Sequence, residues 1–196
     1  MIKPQDFDNV QAFEGYEKFE PGGHVCKIIQ VSETESSNGH RPMIVVLLDA
    51  DTTDKQAGYW KRRFDSDQRQ NKKYPNNATV RQLVYDADNN TNRGFKTFIE
   101  MVEKSNPGFQ VQWGNNFAAC FKNKLVGGVF GEEEYLDKNT GISKFAVKFQ
   151  NFKTVEEIRK GVEVPKKKLL NPGSNSNNSF NYDTEITPVD DGDMPF

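Results

Sequence analysis

The sequence predicts a mainly β protein with minor α content, built as a small five-stranded barrel and followed by a disordered acidic tail. Five segments show the alternating or continuous apolar pattern of strands. One amphipathic helical segment lies between the third and fourth of them. Residues 171–196 contain mostly small, polar and acidic side chains instead. We therefore expect a folded domain over residues 1–170, a flexible linker over 171–189 and a separate tail over 190–196.

The first three strands are predicted from apolar patterning, and their connections suggest an antiparallel meander. Residues 23–34 alternate apolar and polar side chains, as a half-buried strand does. Residues 43–48 are a continuous aliphatic run, which predicts a strand covered on both faces. Residues 58–65 are expected to form the third strand, and residues 68–77 a loop. An aromatic lead-in over residues 7–20 is expected to pack on this body.

A helix is predicted after residue 92, because a capping side chain precedes a helical apolar pattern. Thr91 or Asn92 can supply the N-cap. The apolar positions that follow share one helical face: Phe95, Phe98, Ile99 and Val102. A second apolar set, spaced four residues apart, predicts another short helical turn: Trp113, Phe117 and Phe121.

Two further strands complete the predicted body. Residues 124–136 and 143–152 have strand patterns, joined by a hairpin loop over 137–141. The Gly127-Gly128 pair would let the first of these strands bend. A short helix is expected over residues 154–160. Three strands, a helix and two strands is the order of the five-stranded OB-fold barrel, whose helix also lies between strands 3 and 4.

Charge is distributed unevenly along the chain. The formal net charge is −2. Residues 171–196 hold five acidic residues and no basic one, which leaves 26 basic and 23 acidic residues in residues 1–170, a net +3. A mildly basic body is compatible with a nucleic-acid partner. Cys26 and Cys120 stand alone, which favours reduced thiols in a cytoplasmic protein, and no apolar run is long enough for a membrane span.

The strongest candidate for a binding site is the basic and aromatic segment over residues 58–64. As a strand it would place Tyr59, Lys61 and Arg63 on one face, and Trp60, Arg62 and Phe64 on the other. Single-stranded nucleic acid requires both cations for its phosphates and flat rings on which its bases stack. Trp60 and Phe64 are assigned chiefly to the core, and the opposite face to ligand contacts. The alternative is that these cations are ordinary solvated surface.

More cations could extend this surface. The loop after the predicted third strand and the last strand contribute Arg69, Lys72, Lys73, Tyr74, Lys144 and Lys148. Each of these alone is equally compatible with ordinary surface. Residues 166–168, three consecutive lysines, are expected to pair with the acidic tail when no ligand is bound.

The search for catalytic or metal-binding residues yields little. His24 and Cys26 could supply two zinc ligands, but no second pair accompanies them. Glu132 and Glu134 would share a strand face, where solvated carboxylates are usual. Carboxylates gathered from several strands would be needed for a metal-dependent nuclease, which stays open as an alternative. We expect no enzyme activity, no cofactor and no metal.

The tail has the composition of a partner-binding peptide. Its acidic and apolar residues are Asp190, Asp191, Asp193, Met194, Pro195 and Phe196. An apolar ring beside the chain-end carboxylate, within an acidic segment, suits a basic pocket with a hydrophobic floor.

These segments resemble a known family. The ending DDGDMPF over residues 190–196 is similar to the tail of bacterial single-stranded DNA-binding proteins. Residues 21–28, 39–48 and 58–60 resemble the divergent single-stranded DNA-binding proteins of phages that infect Gram-positive bacteria, a likeness that spans residues 21–164. The resemblance implies an OB-fold body that binds single strands and a tail that recruits replication, recombination and repair proteins, in the cytoplasm of a bacterial host. A recombination mediator or strand-annealing protein is the main alternative.

Overall fold

The computed structural model describes residues 2–9, 17–37 and 39–170, and one five-stranded antiparallel sheet forms its centre. The strands are β1 (Gly22–Glu35), β2 (Pro42–Ala50), β3 (Thr79–Leu83), β4 (Leu125–Leu136) and β5 (Ser143–Lys153). Their order across the sheet is β3-β2-β1-β4-β5. The helices are α1 (Tyr59–Ser66), α2 (Arg93–Ser105), α3 (Phe117–Cys120) and α4 (Val155–Lys160). The prediction of a mainly β chain with minor α content is confirmed.

The two helices with recognisable caps form where the sequence predicts them. The Asn92 side chain accepts hydrogen bonds from the backbone N–H groups of Gly94 and Phe95, which fixes the start of α2. All four predicted apolar positions of α2 are buried: Phe95, Phe98, Ile99 and Val102. At α4, Thr154 and Glu157 form a reciprocal capping box. Both helices therefore follow from local sequence alone.

The predicted third strand is wrong. Residues 58–65 lie almost entirely in helix α1, and the third strand of the meander is Thr79–Leu83. The Asp49 carboxylate accepts hydrogen bonds from the backbone N–H groups of Trp60 and Lys61, at 3.1 and 3.2 Å, and so caps the helix from the neighbouring strand. Gly58, with φ of 66°, makes the turn into it.

The sheet is open, so the predicted closed barrel is not confirmed. Among the described residues, β3 and β5 are the two edge strands and do not pair with each other. Register shifts between Ile28 and Gln30 in β1, and between Val129 and Phe130 in β4, interrupt regular pairing. Gly128 is required by close packing, because a Cβ there would lie 2.7 Å from the Phe130 ring.

The core lies on one face of the sheet. Cross-strand register aligns Val31, Val46 and Val80, all buried, on this face. Aromatic rings complete the core around Trp60, whose ring centre is 4.1 Å from that of Phe19 and 5.2 Å from that of Phe130. In the lead-in, Phe19 is buried as expected and Phe7 is exposed. Phe13 and Tyr16 lie outside the described residues, as do the linker and tail over 171–196.

Candidate nucleic-acid interface

A groove of about 320 Å³ lies on the outer face of the sheet, where β1 and β2 meet α1 and the loop that follows it. We call it the β1–α1 groove. It is lined by Ile29, Gln30, Leu47, Lys61, Phe64, Asp65, Lys72 and Tyr74. Three of the residues singled out from the sequence, Lys61, Lys72 and Tyr74, therefore lie together, although the predicted strand does not exist.

Helical spacing places the α1 residues in this groove. Lys61, Phe64 and Asp65 stand at positions i, i+3 and i+4, which share one side of a helix. The helix is held against β2 by Asp49, a buried carboxylate. Burial raises the pKa of Asp49, although the N–H groups of Lys61, Trp60 and Ala50 oppose that rise.

Tyr74 and Lys72 form the opposite wall. The Tyr74 hydroxyl donates a hydrogen bond to the Leu48 carbonyl at 2.9 Å, and its ring centre lies 5.5 Å from that of Phe64. Burial, with the nearby Asp49 carboxylate, raises the pKa of Tyr74, so its hydroxyl stays protonated and donates. Lys72 Nζ donates to the Phe64 carbonyl at 3.2 Å and lies 4.6 Å from the centre of the Phe64 ring.

The charge balance of the groove favours an anionic ligand. Its two cations, Lys61 and Lys72, face one carboxylate, Asp65. Lys61 Nζ pairs with Asp65 at 2.6 Å, and this hydrogen bond raises the pKa of Lys61. Among the described residues, no carboxylate lies within ion-pair distance of Lys72. A phosphate could thus bind at Lys72 without displacing an acidic partner, whereas at Lys61 it would compete with Asp65.

Tyr59 and Trp60 are not exposed as binding residues. Both side chains are buried, at 5% and 0% exposure. The Tyr59 hydroxyl donates to the Glu17 carbonyl at 3.0 Å. The expectation that Tyr59 shares an open face with Lys61 and Arg63 is wrong, because it depends on the alternation of a strand. The expectation that Trp60 belongs to the core is confirmed, whereas the same expectation for Phe64 is wrong, because Phe64 is half-buried and lines the groove.

The remaining cations of this region lie outside the groove lining. Arg62 pairs with Glu17 at 2.8 Å, and Arg63 donates to the Tyr59 hydroxyl at 3.3 Å. Arg69 binds Asp67 at 2.6 Å and lowers the pKa of that carboxyl to about 2. Lys73 is exposed. Three of these four side chains are therefore held by contacts within the protein.

The cations predicted on the last strand lie apart from the groove and are paired with acids. Lys144 binds Asp137, and Lys148 lies 3.6 Å from Glu133. Two of the three lysines expected to pair with the tail also pair with β4: Lys167 binds Glu132 at 2.7 Å and Lys168 binds Glu133 at 2.9 Å. Their pairing with the tail, which lies outside the described residues, stays a prediction. Backbone hydrogen bonds join Lys168 to β4 as well. We call this acid-paired surface the β4–β5 hairpin surface.

The outer face of β2 was missed by the sequence argument. Residues 43–48 were expected to be covered on both faces, but only Ile44, Val46 and Leu48 are buried. Met43, Val45 and Leu47 are half-buried on the other face. Register places Arg81 of β3, which is exposed, directly opposite Val45. Burial alternates along residues 43–48, but the sequence does not reveal this, because every residue of the run is apolar and its exposure depends on the neighbouring strands.

His24 and Glu134, which were considered as metal-binding or catalytic residues, both make hydrogen bonds within the protein. His24 is fully buried, with Nδ1 3.0 Å from Asp54 and Nε2 3.0 Å from the Glu20 carbonyl. Glu134 accepts from the Ser143 hydroxyl and from the backbone N–H of Leu170. Within residues 2–9, 17–37 and 39–170, no group of three His, Cys, Asp or Glu side chains could hold a metal ion.

No helix within the described residues has the length and apolar character needed to cross a bilayer. Comparison with protein-family models finds no match for the chain, and neither does comparison with curated proteins.

Proposed function

We propose that this protein binds single-stranded DNA without strong sequence preference, during phage DNA replication or recombination in the host cytoplasm. The observation that carries the proposal is the β1–α1 groove, in which cations, two aromatic rings and half-buried aliphatic side chains meet on the outer face of the sheet. Cations attract phosphates, and rings stack on bases of any sequence. Tolerance of sequence follows from this pairing of contacts.

The fold proposed for this function is an OB barrel. The order β3-β2-β1-β4-β5, with α2 between β3 and β4, is the order such a barrel has when opened between its third and fifth strands. The 3₁₀ turn Asn76–Ala78, which leads into β3, lies close to β5 and supports this closure. OB folds bind nucleic acid across the face of their second and third strands, and the groove and Arg81 lie on that side.

Binding to a labelled oligo-dT and to duplex DNA of equal length, measured by fluorescence anisotropy over a range of salt concentrations, tests the proposal. We expect tighter binding of the single strand, because only unpaired bases can reach the rings of the groove. Affinity should fall as salt rises, since phosphate contacts release counterions. Equal affinity for the two DNA forms, or no binding of either, would overturn the proposal.

The proposal assigns recruitment of partner proteins to residues 190–196, which lie outside the described residues. Three aspartates and the apolar Met194, Pro195 and Phe196 suit a basic pocket with a hydrophobic floor. Deleting residues 190–196 should leave oligo-dT affinity unchanged or slightly higher and abolish binding to purified replication or repair proteins of the host. Loss of DNA affinity in the truncated protein, with partner binding intact, would contradict this division of roles.

A further inference from the structure

A second groove, of about 470 Å³, opens beside the end of the β1–β2 hairpin. We call it the Trp113 groove. Its apolar walls include Met43, Val84, Phe95, Trp113 and Phe117. Trp113 is 67% exposed, although tryptophan is a large apolar residue that is on average highly buried. Contiguous apolar surface of this kind, unlike a single exposed side chain, is typical of binding grooves.

The indole of Trp113 is supported from behind and open in front. Its ring stacks on Phe117 at a centre-to-centre distance of 5.4 Å and an angle of 19°. Phe95 contacts it at 6.4 Å and 60°. The next residue, Gly114, has φ of 83°, and a Cβ built there would meet nothing within 4 Å. A planar ligand could therefore stack on the outer face of a ring that is already held in place.

The outer face of β2 runs from the β1–α1 groove to the rim of the Trp113 groove, whose lining also includes Ile44 of the core face. Leu47 lines one groove and Met43 lines the other, and both belong to the half-buried face of the strand. They are four residue steps apart along the strand, or about 13 Å. Val45 lies midway, opposite the exposed Arg81 on β3. An extended chain that follows β2 would thus pass a cation between two sites of stacking.

From this continuity we propose that Trp113 stacks on a base of the same bound single strand and marks the far end of its path. The proposal rests on the proposed function, and it adds a residue outside both the sheet and the basic segment. Of the parts of a nucleic acid, a base fits the site better than a phosphate, because the groove combines apolar walls with one carboxylate, Glu33. The contribution of Trp113 is then stacking, which does not depend on salt.

The two tryptophans allow a direct test. Trp60 is fully buried and Trp113 is exposed, so DNA that stacks on the protein should quench the fluorescence of Trp113 alone. Titration of the full chain with oligo-dT should quench its tryptophan emission. In Trp113→Phe, anisotropy should show near-normal binding of labelled oligo-dT, because the ring is kept, while the quenching disappears.

Removal of the ring should weaken binding without changing its salt dependence. Trp113→Ala and Trp113→Gln should each bind oligo-dT about 5- to 30-fold more weakly, with the wild-type slope of affinity against salt. Thermal melts of both variants check that the fold is intact, and because Trp113 is mostly exposed, at least the Gln variant should melt like the wild type.

The outcomes separate this inference from the proposed function. Normal binding in all three variants, with no quenching of wild-type fluorescence by DNA, overturns the role of Trp113 and leaves the proposed function standing. No change in anisotropy for the wild-type protein overturns both. Quenching by a synthetic peptide of residues 190–196, but not by oligo-dT, would assign the Trp113 groove to an acidic peptide and overturn the inference.

Discussion

The β1–α1 groove and the β4–β5 hairpin surface contain the same pair of side chains in nearly the same geometry. In the groove, Lys72 Nζ lies 4.6 Å from the centre of the Phe64 ring. On the hairpin, Lys167 Nζ lies 4.8 Å from the centre of the Phe145 ring. The two lysines differ in their other partner. Lys72 donates to a backbone carbonyl, whereas Lys167 binds the Glu132 carboxylate.

This difference shows why a count of lysines and aromatic rings does not locate a binding surface. Lys144, Lys148 and Lys168 are likewise paired with carboxylates of the hairpin surface. A phosphate that approached them would have to displace those acids or lie beside them, and the gain in attraction would be small. Beside the rings of the groove, Lys72 has no carboxylate of the described residues within ion-pair distance, so we expect the groove to dominate the binding of a polyanion.

The largest contrast should come from paired lysine substitutions. Lys61→Ala with Lys72→Ala should weaken oligo-dT binding about 5- to 10-fold near 0.1 M salt and reduce the salt slope by about one counterion, because Lys61 is already paired with Asp65 and Lys72 is not paired with an acid of the described residues. The matched control, Lys144→Ala with Lys148→Ala, removes the same formal charge from the hairpin surface and should change affinity about twofold or less. Anisotropy titrations at several salt concentrations measure both. An equal loss in the two double variants would mean that net charge, not the groove, governs binding.

A smaller contrast should separate the two phenylalanines. Phe64→Leu removes the ring from the groove but keeps an apolar side chain, and it should weaken oligo-dT binding by about fivefold with an unchanged salt slope. Phe145→Leu should leave affinity unaltered. Thermal denaturation of both variants controls for lost packing, since Phe64 is half-buried. If Phe145→Leu is the variant that weakens binding, the DNA path runs over the hairpin.

Arg81 tests whether the path continues along β2. Arg81→Gln should reduce affinity about three- to fivefold and flatten the salt slope by about one counterion, because Arg81 is paired with Val45, midway along β2 between Met43 and Leu47. Lys148→Gln is the control, an exposed strand cation with an acidic partner, and its effect should be within error. An unchanged salt slope in Arg81→Gln would mean that the bound DNA does not extend along β2 beyond the β1–α1 groove.

The smallest effect concerns pH on the hairpin surface. The hydrogen bond from Lys144 lowers the pKa of Asp137 from 3.8 to about 2. Because the folded-state pKa is depressed, any stabilisation from this pair is complete well above pH 3.8 and is lost as pH falls toward 2. In Lys144→Ala, the Asp137 titration followed by NMR should shift back toward 3.8, while DNA binding at neutral pH stays the same. A midpoint unmoved by Lys144→Ala would show that the backbone N–H groups of Asn139 and Thr140 hold the carboxylate instead.

Local patterns were sufficient for much of the fold. The α2 cap at Asn92, the buried face of α2 and the β4–β5 hairpin depend on contacts close in sequence. The prediction for residues 58–65 was wrong because their structure depends on a contact with a different element. Trp60 and Phe64 are four residues apart, a spacing that both a strand and a helix place on one face. A hydrogen bond from the Trp60 backbone N–H to the Asp49 carboxylate favours the helix, and Asp49 belongs to β2.

The candidate site could be predicted in composition but not in arrangement. Lys61, Lys72 and Tyr74 were identifiable as basic and aromatic residues of one segment. Ile29 and Leu47 were not, because aliphatic residues in strands usually belong to a core and their half-exposure depends on which neighbours cover them. Trp113 was assigned to a helical turn on spacing alone. Its exposure depends on how the chain between α2 and α3 packs.

The position of β1 at the centre of the sheet has a consequence for synthesis of the chain. One edge of β1 pairs with β2, which follows it directly, but the other edge pairs with β4, about 100 residues later. At ribosomal rates of roughly 5–20 residues per second, that edge stays open for about 5–20 s.

Cys26 lies on this stretch, and its Sγ in the finished fold is 3.1 Å from the position a Cβ on Gly128 of β4 would occupy. Burial raises the pKa of Cys26 once the sheet is complete, so its thiol is unreactive there. We expect the thiol to be accessible before β4 pairs with β1, so a decline of its alkylation on ribosome-bound chains of increasing length would show the chain length at which β4 joins the sheet.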